Sequence, residues 1–535
     1  MYLANLSDQR KEASMDIRHA IMVLGIALMP ALALAADPDD DVPPPRASAA
    51  PAMSARMPGA DAHQTSERPL SLAGVPAQRR GAGRVPIRWQ FESTNGYEIG
   101  DAISMSDRWV AVGGSFFTAL VPCRFGVSCG HDGRLRVFDS VTGQLRWTAD
   151  FDLNGTLDRY LAVAIEGDVV LAVGYSINRF RTNNRPVWVV NAYDAPTGAL
   201  LWRETLSDPQ SDFFPQAIAV QGGRAYVTGV TGPQCYFGSW CEQLTRAYDV
   251  GTGRVLWSVS TGVPGVDYET LSIATDEERV YIAGNAGPYA EVRALDARTG
   301  GLRWLDQVPA LSGEFVFKVV ADDDRVAIGA IVNGDWLVRV YHADSGQVRW
   351  TRTWSLTGDA NPTVYDAPVV LAMRDGIVVV GGYGSHLPYG SEPYPKASRD
   401  WVVRAYAAAD GRLLWSDVRG ATDNIDEANG GVVIAQGQAV VLGFGAFDDT
   451  SGNTHTLVRS YDLRTGALVW EDLEPRVGFA YGVTKTLAGT NGRVAAVSRV
   501  QGQRPAGLPR PDSLGVDMLL RIYDLHKGRG SDEQR

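Results

Sequence analysis

One unit recurs along most of this chain: an aliphatic residue, an Arg and an aromatic, then Asp-x-x-Thr-Gly, then a closing Trp. It reads LRVFDSVTGQLRW up to Trp147, VNAYDAPTGALLW up to Trp202, TRAYDVGTGRVLW up to Trp257 and VRALDARTGGLRW up to Trp304. Looser copies follow as VRVYHADSGQVRW (Trp350), VRAYAAADGRLLW (Trp415) and VRSYDLRTGALVW (Trp470). An eighth, LRIYDLHKG, lacks its Trp, and the missing counterpart, Trp89 in VPIRWQFE, stands at the other end of the repeat array. A repeat of this kind constrains the fold more than any single motif, because each unit is a supersecondary module that buries its apolar face only against its neighbours.

Successive Trp residues are 46 to 65 positions apart, which suits a four-stranded module with loops of varying length. Each unit also carries an earlier apolar pair of runs, as in AVAIEGDVVLAVGYS and AIAVQGGRAYVTGVT, divided by Gly, Asn and Asp turns. That pattern is antiparallel β. The expected fold is all-β: an eight-bladed β-propeller of four-stranded antiparallel blades, with the strand around Trp89 completing the last blade. Closure of this kind removes exposed sheet edges. Within the repeat, the Asp is suited to an Asx-type turn and the Gly to a positive φ, and the Trp offers a flat surface for packing between blades. Where the Asp is replaced, by His342 and Ala407, the blade is expected to lose a turn bond and little else.

This run of Asp-x-x-Thr-Gly-x-x-x-Trp resembles the tryptophan-docking motif of the pyrroloquinoline quinone (PQQ)-type propellers, the quinoprotein alcohol dehydrogenase-like superfamily. The resemblance implies a propeller over residues 87–528. It leaves open whether the chain is a quinoprotein dehydrogenase or a non-catalytic member, such as the propeller lipoprotein of the outer-membrane β-barrel assembly machinery. For the dehydrogenases it implies PQQ held against a disulfide of adjacent cysteines, with Ca²⁺ ligated by carboxylate and amide oxygens. No adjacent cysteine pair is present, and no C-x-x-C-H haem motif. No catalytic residue is therefore carried over, no resident metal is expected, and PQQ with Ca²⁺ remains the alternative.

The segment before the repeats sets the expected compartment. Within residues 1–36 the run from Met15 holds Arg18 and His19, the apolar stretch Ala20 to Leu34 and the small-residue pattern Ala33-Leu34-Ala35, which is the plan of a cleaved secretory signal peptide. Nothing later is long and apolar enough for a membrane helix. Residues 37–86, rich in Pro, Ala, Ser and Arg, read as a disordered leader, and 529–535 as a disordered tail. A periplasmic or secreted protein follows. The four cysteines fall into two equally spaced pairs, Cys123/Cys129 and Cys235/Cys241, and are expected to form two local disulfides. A net charge of −11 argues against nucleic acid as a partner.

The remaining candidates lie where each blade's first strand begins, at the mouth of the central channel. These entries carry Glu98, Asp158, Asp212, Asp267 with Glu269, Glu314, Asp366, and Asp426 with Glu427, most beside an aromatic. Such a ring would focus negative potential and offer apolar surface to a cationic or aromatic peptide, an envelope protein or a small polar ligand. The reading is an exported binding or interaction scaffold, its oligomeric state open, with a PQQ- and calcium-dependent alcohol or sugar dehydrogenase as the alternative.

Overall fold

The computed structural model describes residues 64–66, 85–93, 98–122, 128–153, 157–177, 185–233, 235, 241–262, 266–310, 316–357, 366–386, 399–420, 425–446, 455–474, 487–490, 492–502 and 515–525. The expected signal peptide, the C-terminal tail, Cys123 and Glu314 lie outside these residues, as does the side chain of Cys129.

The described chain is β-strand almost throughout. Four-stranded antiparallel modules follow one another in sequence: module 1 spans residues 98–151, module 2 157–206, module 3 212–261, module 4 268–309, module 5 316–354, module 6 367–419 and module 7 426–473. Module 8 joins Leu487–Gly489, Arg493–Gly502 and Gly515–Asp524 to the early strand Ile87–Glu92. In it Trp89 lies opposite Ile522 and Ile87 opposite Tyr523, so the two ends of the repeat array share one sheet. A single parallel bridge, His131 to Leu157, fuses modules 1 and 2 into an eight-stranded sheet. Within the stretch expected to be disordered, Gln64–Ser66 forms a short strand parallel to the outer strand Val348–Trp354 of module 5. The outer edge of a sheet presents unpaired N–H and C=O groups that template such an addition.

The core lies between modules. Ala111, Leu135 and Val137 of module 1 pack on Tyr160, Val163 and Val170 of module 2, and Val110 and Phe138 pack on Val497 and Leu520 of module 8. Each sheet thus buries both faces, and its middle strands are nearly continuous apolar runs, as in Ile377–Ser385.

The repeat is a docking device. Trp147 Nε1 donates to the Ala195 carbonyl of the next module's turn at 2.7 Å, and Trp202, Trp257, Trp304, Trp350 and Trp415 do the same to Val250, Ala297, Ala343, Ala408 and Leu463. Trp89 donates to Ser140 at 3.2 Å, which links module 8 to module 1. The indole lies flat on the turn glycine. At Gly198, φ is +76° and a Cβ would stand 2.7 Å from the Trp147 ring, so conformation and space both require glycine. The repeat Asp accepts from the turn, as Asp194 does from Thr197 N at 3.0 Å. At His342 and Ala407 the backbone bonds Gly346 N to His342 O and Gly411 N to Ala407 O hold the turn in shape.

Candidate functional site

The first strand of each of modules 1 to 7 carries a register shift near its start, and this bulge fixes which residues are equivalent. Glu98, Asp158 and Asp426 occupy one position, opposite Phe116, Ser176 and Gly445 of the second strand. Asp366 joins them, directly before Ala367, which pairs with Tyr383. Modules 3 and 4 have Phe213 and Tyr268 at this position. Asp212 and Asp267 come one residue earlier, and Glu269 and Glu427 one later, so their side chains leave the strand on the other face. The acidic entries are therefore not one ring of like groups.

Their environments differ accordingly. Glu98, Asp158, Asp366 and Asp426 are 2%, 0%, 0% and 1% exposed. Arg136 grips Glu98 through Nε at 2.5 Å and Nη2 at 2.7 Å, with Arg134 adding a third contact. Asp212 pairs with Arg185 at 2.9 Å, and Glu427 with Arg399 and Asn429. Asp366 accepts the N–H groups of Leu356 and Ser385 at 2.9 and 2.7 Å. Among the described entry residues named above, Phe213 in module 3 and Asp267 and Glu269 in module 4 are part-exposed.

Beneath this level lies a cluster that the sequence reading did not single out. Asp101, on the bulge of module 1, receives two bonds of 2.5 Å from Arg159 of module 2 and one of 2.9 Å from Arg499 of module 8. All three side chains are buried. Burial disfavours the Arg159 charge, but the Asp101 carboxylate outweighs it and raises the guanidinium above its ordinary value. Asp101 does lie in the GYEIGD entry, and Arg159 beside Asp158, but only the fold brings them to Arg499. A second feature is Lys318, which follows the bulge of module 5 at the place held elsewhere by Ala102, Ala162, Ala217 and Ser272. Desolvation holds its ammonium below the ordinary lysine value.

The disulfide Cys235–Cys241 is formed. It joins the second and third strands of module 3 and packs with Tyr175, Phe214 and Val230.

Asp366 gives a pH signature. Burial pushes its carboxyl up to about 7, against the pull of the two N–H donors. The folded chain then holds a proton that the unfolded chain releases near pH 4, so stability falls as pH rises from about 4 to 7. Asp366→Asn should flatten that part of the profile, read from urea midpoints at pH 4.5, 6 and 7.5. An unchanged slope would count against a protonated Asp366.

Comparison with known proteins places this architecture. Tetrathionate hydrolase of Acidithiobacillus ferrooxidans is 26% identical over 225 residues, a match covering 42% of this chain and 39% of that relative. The chain thus spans about two fifths of the curated relative it matches. Among solved structures, a europium-containing methanol dehydrogenase aligns over 83% of this chain and 94% of its own at 15% identity, with a TM-score of 0.50. The quinohemoprotein alcohol dehydrogenase of Comamonas testosteroni aligns over 82% and 76% at 14% identity, TM-score 0.51. At such identity these likenesses bear on the fold alone, which is that of a propeller. The model of one family matches residues 131–310, 241–384 and 288–503. On that match, and on the repeat that carries it, the chain belongs to the PQQ-like propeller family described as outer membrane protein assembly factor BamB.

Proposed function

We propose that this chain is an exported scaffold of the cell envelope, a closed eight-bladed propeller that captures a protein segment or small polar ligand at one sector of its channel mouth. The observation that carries this reading is the unequal mouth. In modules 1, 2, 6 and 7 the carboxylates at the shared entry position are buried, whereas Phe213 of module 3 and Asp267 and Glu269 of module 4 are part-exposed. Exposed carboxylates suit a basic side chain, and an exposed ring suits an aromatic or cationic one. Membership of a family described as an assembly factor supports a partner that is a protein. The pairing of Ile87–Glu92 with Gly515–Asp524 supports closure, and the signal-peptide pattern in 1–36 supports export.

A quinone-dependent dehydrogenase is the second reading, favoured by the likeness in fold to two alcohol-oxidising enzymes. The donors do not fit it: the chain has no adjacent cysteine pair, and the disulfide Cys235–Cys241 packs between modules 2 and 3 against Tyr175 and Phe214. Two measurements separate the readings. With a photo-crosslinking residue at Phe213, envelope partners should be trapped, and Asp267→Asn with Glu269→Gln should reduce trapping severalfold at an unchanged melting temperature. Dye reduction by the full chain with PQQ, Ca²⁺ and alcohols should stay at background; substrate-dependent turnover would overturn the scaffold reading.

A further inference from the structure

At the position shared by Glu98, Asp158, Asp366 and Asp426, one carboxylate stands apart. Glu98 has two arginines and Asp366 two N–H donors. Asp158 is fully buried; the Ser176 hydroxyl and the Leu153 N–H lie near its oxygens, but neither completes a hydrogen bond of normal geometry. It faces two more carboxylates: oxygens of Asp132, Asp152 and Asp158 all lie within 4.8 Å of one another. Asp132 comes from the third strand of module 1, Asp152 follows its fourth strand, and Asp158 opens module 2. The parallel bridge from His131 to Leu157 sets Asp132 beside Asp158.

The nearby cation, Arg134, favours the charged form of Asp132 but is shared with other acids. Arg134 is engaged by Asp150 through two bonds of 2.7 Å and by Glu98. Three convergent carboxylates, of which Asp158 is fully buried, repel one another, and Arg134 offsets part of this at Asp132. The same corner recurs between modules 6 and 7, where a parallel bridge joins Arg399 to Ile425 and Asp400 and Asp426 stand in place of Asp132 and Asp158. There Gly420 replaces Asp152, and His386 stands 3.0 Å from Asp400, whose carboxylate raises the affinity of the imidazole for a proton. One corner has two acids beside an imidazole; the other has three acids beside a guanidinium, Arg134, that is already bonded to Asp150 and Glu98.

We propose that Asp132, Asp152 and Asp158 bind a calcium ion that pins module 1 to module 2. The donors are all hard oxygens, with no thiol or imidazole in the group, which selects a hard cation. Three carboxylates can offer up to six oxygens, and the Thr118 hydroxyl, 3.3 Å from Asp132, lies beside them; calcium takes six to eight, whereas magnesium keeps most of its water. In sequence Asp150, Asp152 and Asn154 precede Gly155 at the alternate spacing of a calcium loop. Asp150 departs from that pattern by turning to Arg134, and Asn154 and Gly155 lie outside the described residues and are not counted as ligands. The site is separate from the mouth sector of modules 3 and 4 and stands whether or not that sector captures a partner.

The test is calorimetric titration of chelator-treated full-length protein with CaCl₂, paired with melting curves. One ion per chain should bind, with a Kd on the order of 10⁻⁴ M or tighter, and raise the melting temperature. Asp152→Asn, at an exposed position where folding is not at risk, should weaken binding roughly tenfold or more by lowering the ligand charge. Asp158→Asn should abolish the calcium-dependent rise, and Asp400→Asn should leave it intact. No binding by wild type at millimolar calcium, equal binding by Asp152→Asn, or an equal response to MgCl₂ would overturn the proposal.

Discussion

Asp101→Ala should cost the folded chain about 3–5 kcal/mol, because it removes one member of a buried charged group while its partners stay buried. Arg159 and Arg499 both lean on this carboxylate, so the variant leaves two neighbouring guanidinium groups without the anion they share. The three residues belong to modules 1, 2 and 8, and the loss therefore falls on the seam where the array meets its own beginning. Asp101→Asn, which keeps the shape and an acceptor oxygen, should cost less. Urea unfolding followed by tryptophan fluorescence reads both, and a loss below about 1 kcal/mol for the alanine variant would show that the cluster is solvated in solution.

The second large effect concerns the docking indoles, whose contributions should be unequal. Trp304→Ala should cost about 3–5 kcal/mol, the usual range for deleting a buried large aromatic. Trp304→Phe keeps much of the ring and loses the 2.8 Å bond to the Ala343 carbonyl, a further loss of about 0.5–1.5 kcal/mol. Trp470 is more deeply buried and stacks on Tyr523 at 4.9 Å, but its Nε1 has no acceptor. Trp470→Phe should therefore be the milder of the two phenylalanine variants, although burial alone ranks them the other way. The reverse order in matched denaturation curves would refute the docking account.

The repeat made the fold legible. Gly198, Trp147 and Asp194 act locally, within one turn or between adjacent modules, so their roles follow from spacing and residue type. The pairing of Trp89 with the last module could be read because a missing Trp at one end matched a spare one at the other. The site was less open to such reading. Acidic entries are visible in the sequence, but a one-residue offset, as between Asp426 and Glu427, decides which face receives the side chain, and that offset is set by pairing and bulges. Asp101, Arg159 and Arg499 are separated by 58 and 398 positions, and no local pattern links them. Asp132, Asp152 and Asp158 likewise come from three different strands or their ends. Gln64–Ser66 shows the opposite difficulty: its composition favours no strand, and the neighbouring edge imposes one.

The strand Ile87–Glu92 leaves the ribosome long before Gly515–Asp524, its partner, has been made. Throughout synthesis the nascent chain carries an unsatisfied ribbon at each extremity, and these can be reconciled only when the final module emerges. Slow, long-range pairing of this type exposes sticky edges for the whole interval. A premature stop before residue 515 would thus leave module 8 without its third strand and strand Ile87–Glu92 without a mate, turning a tolerable delay into a standing invitation to aggregate.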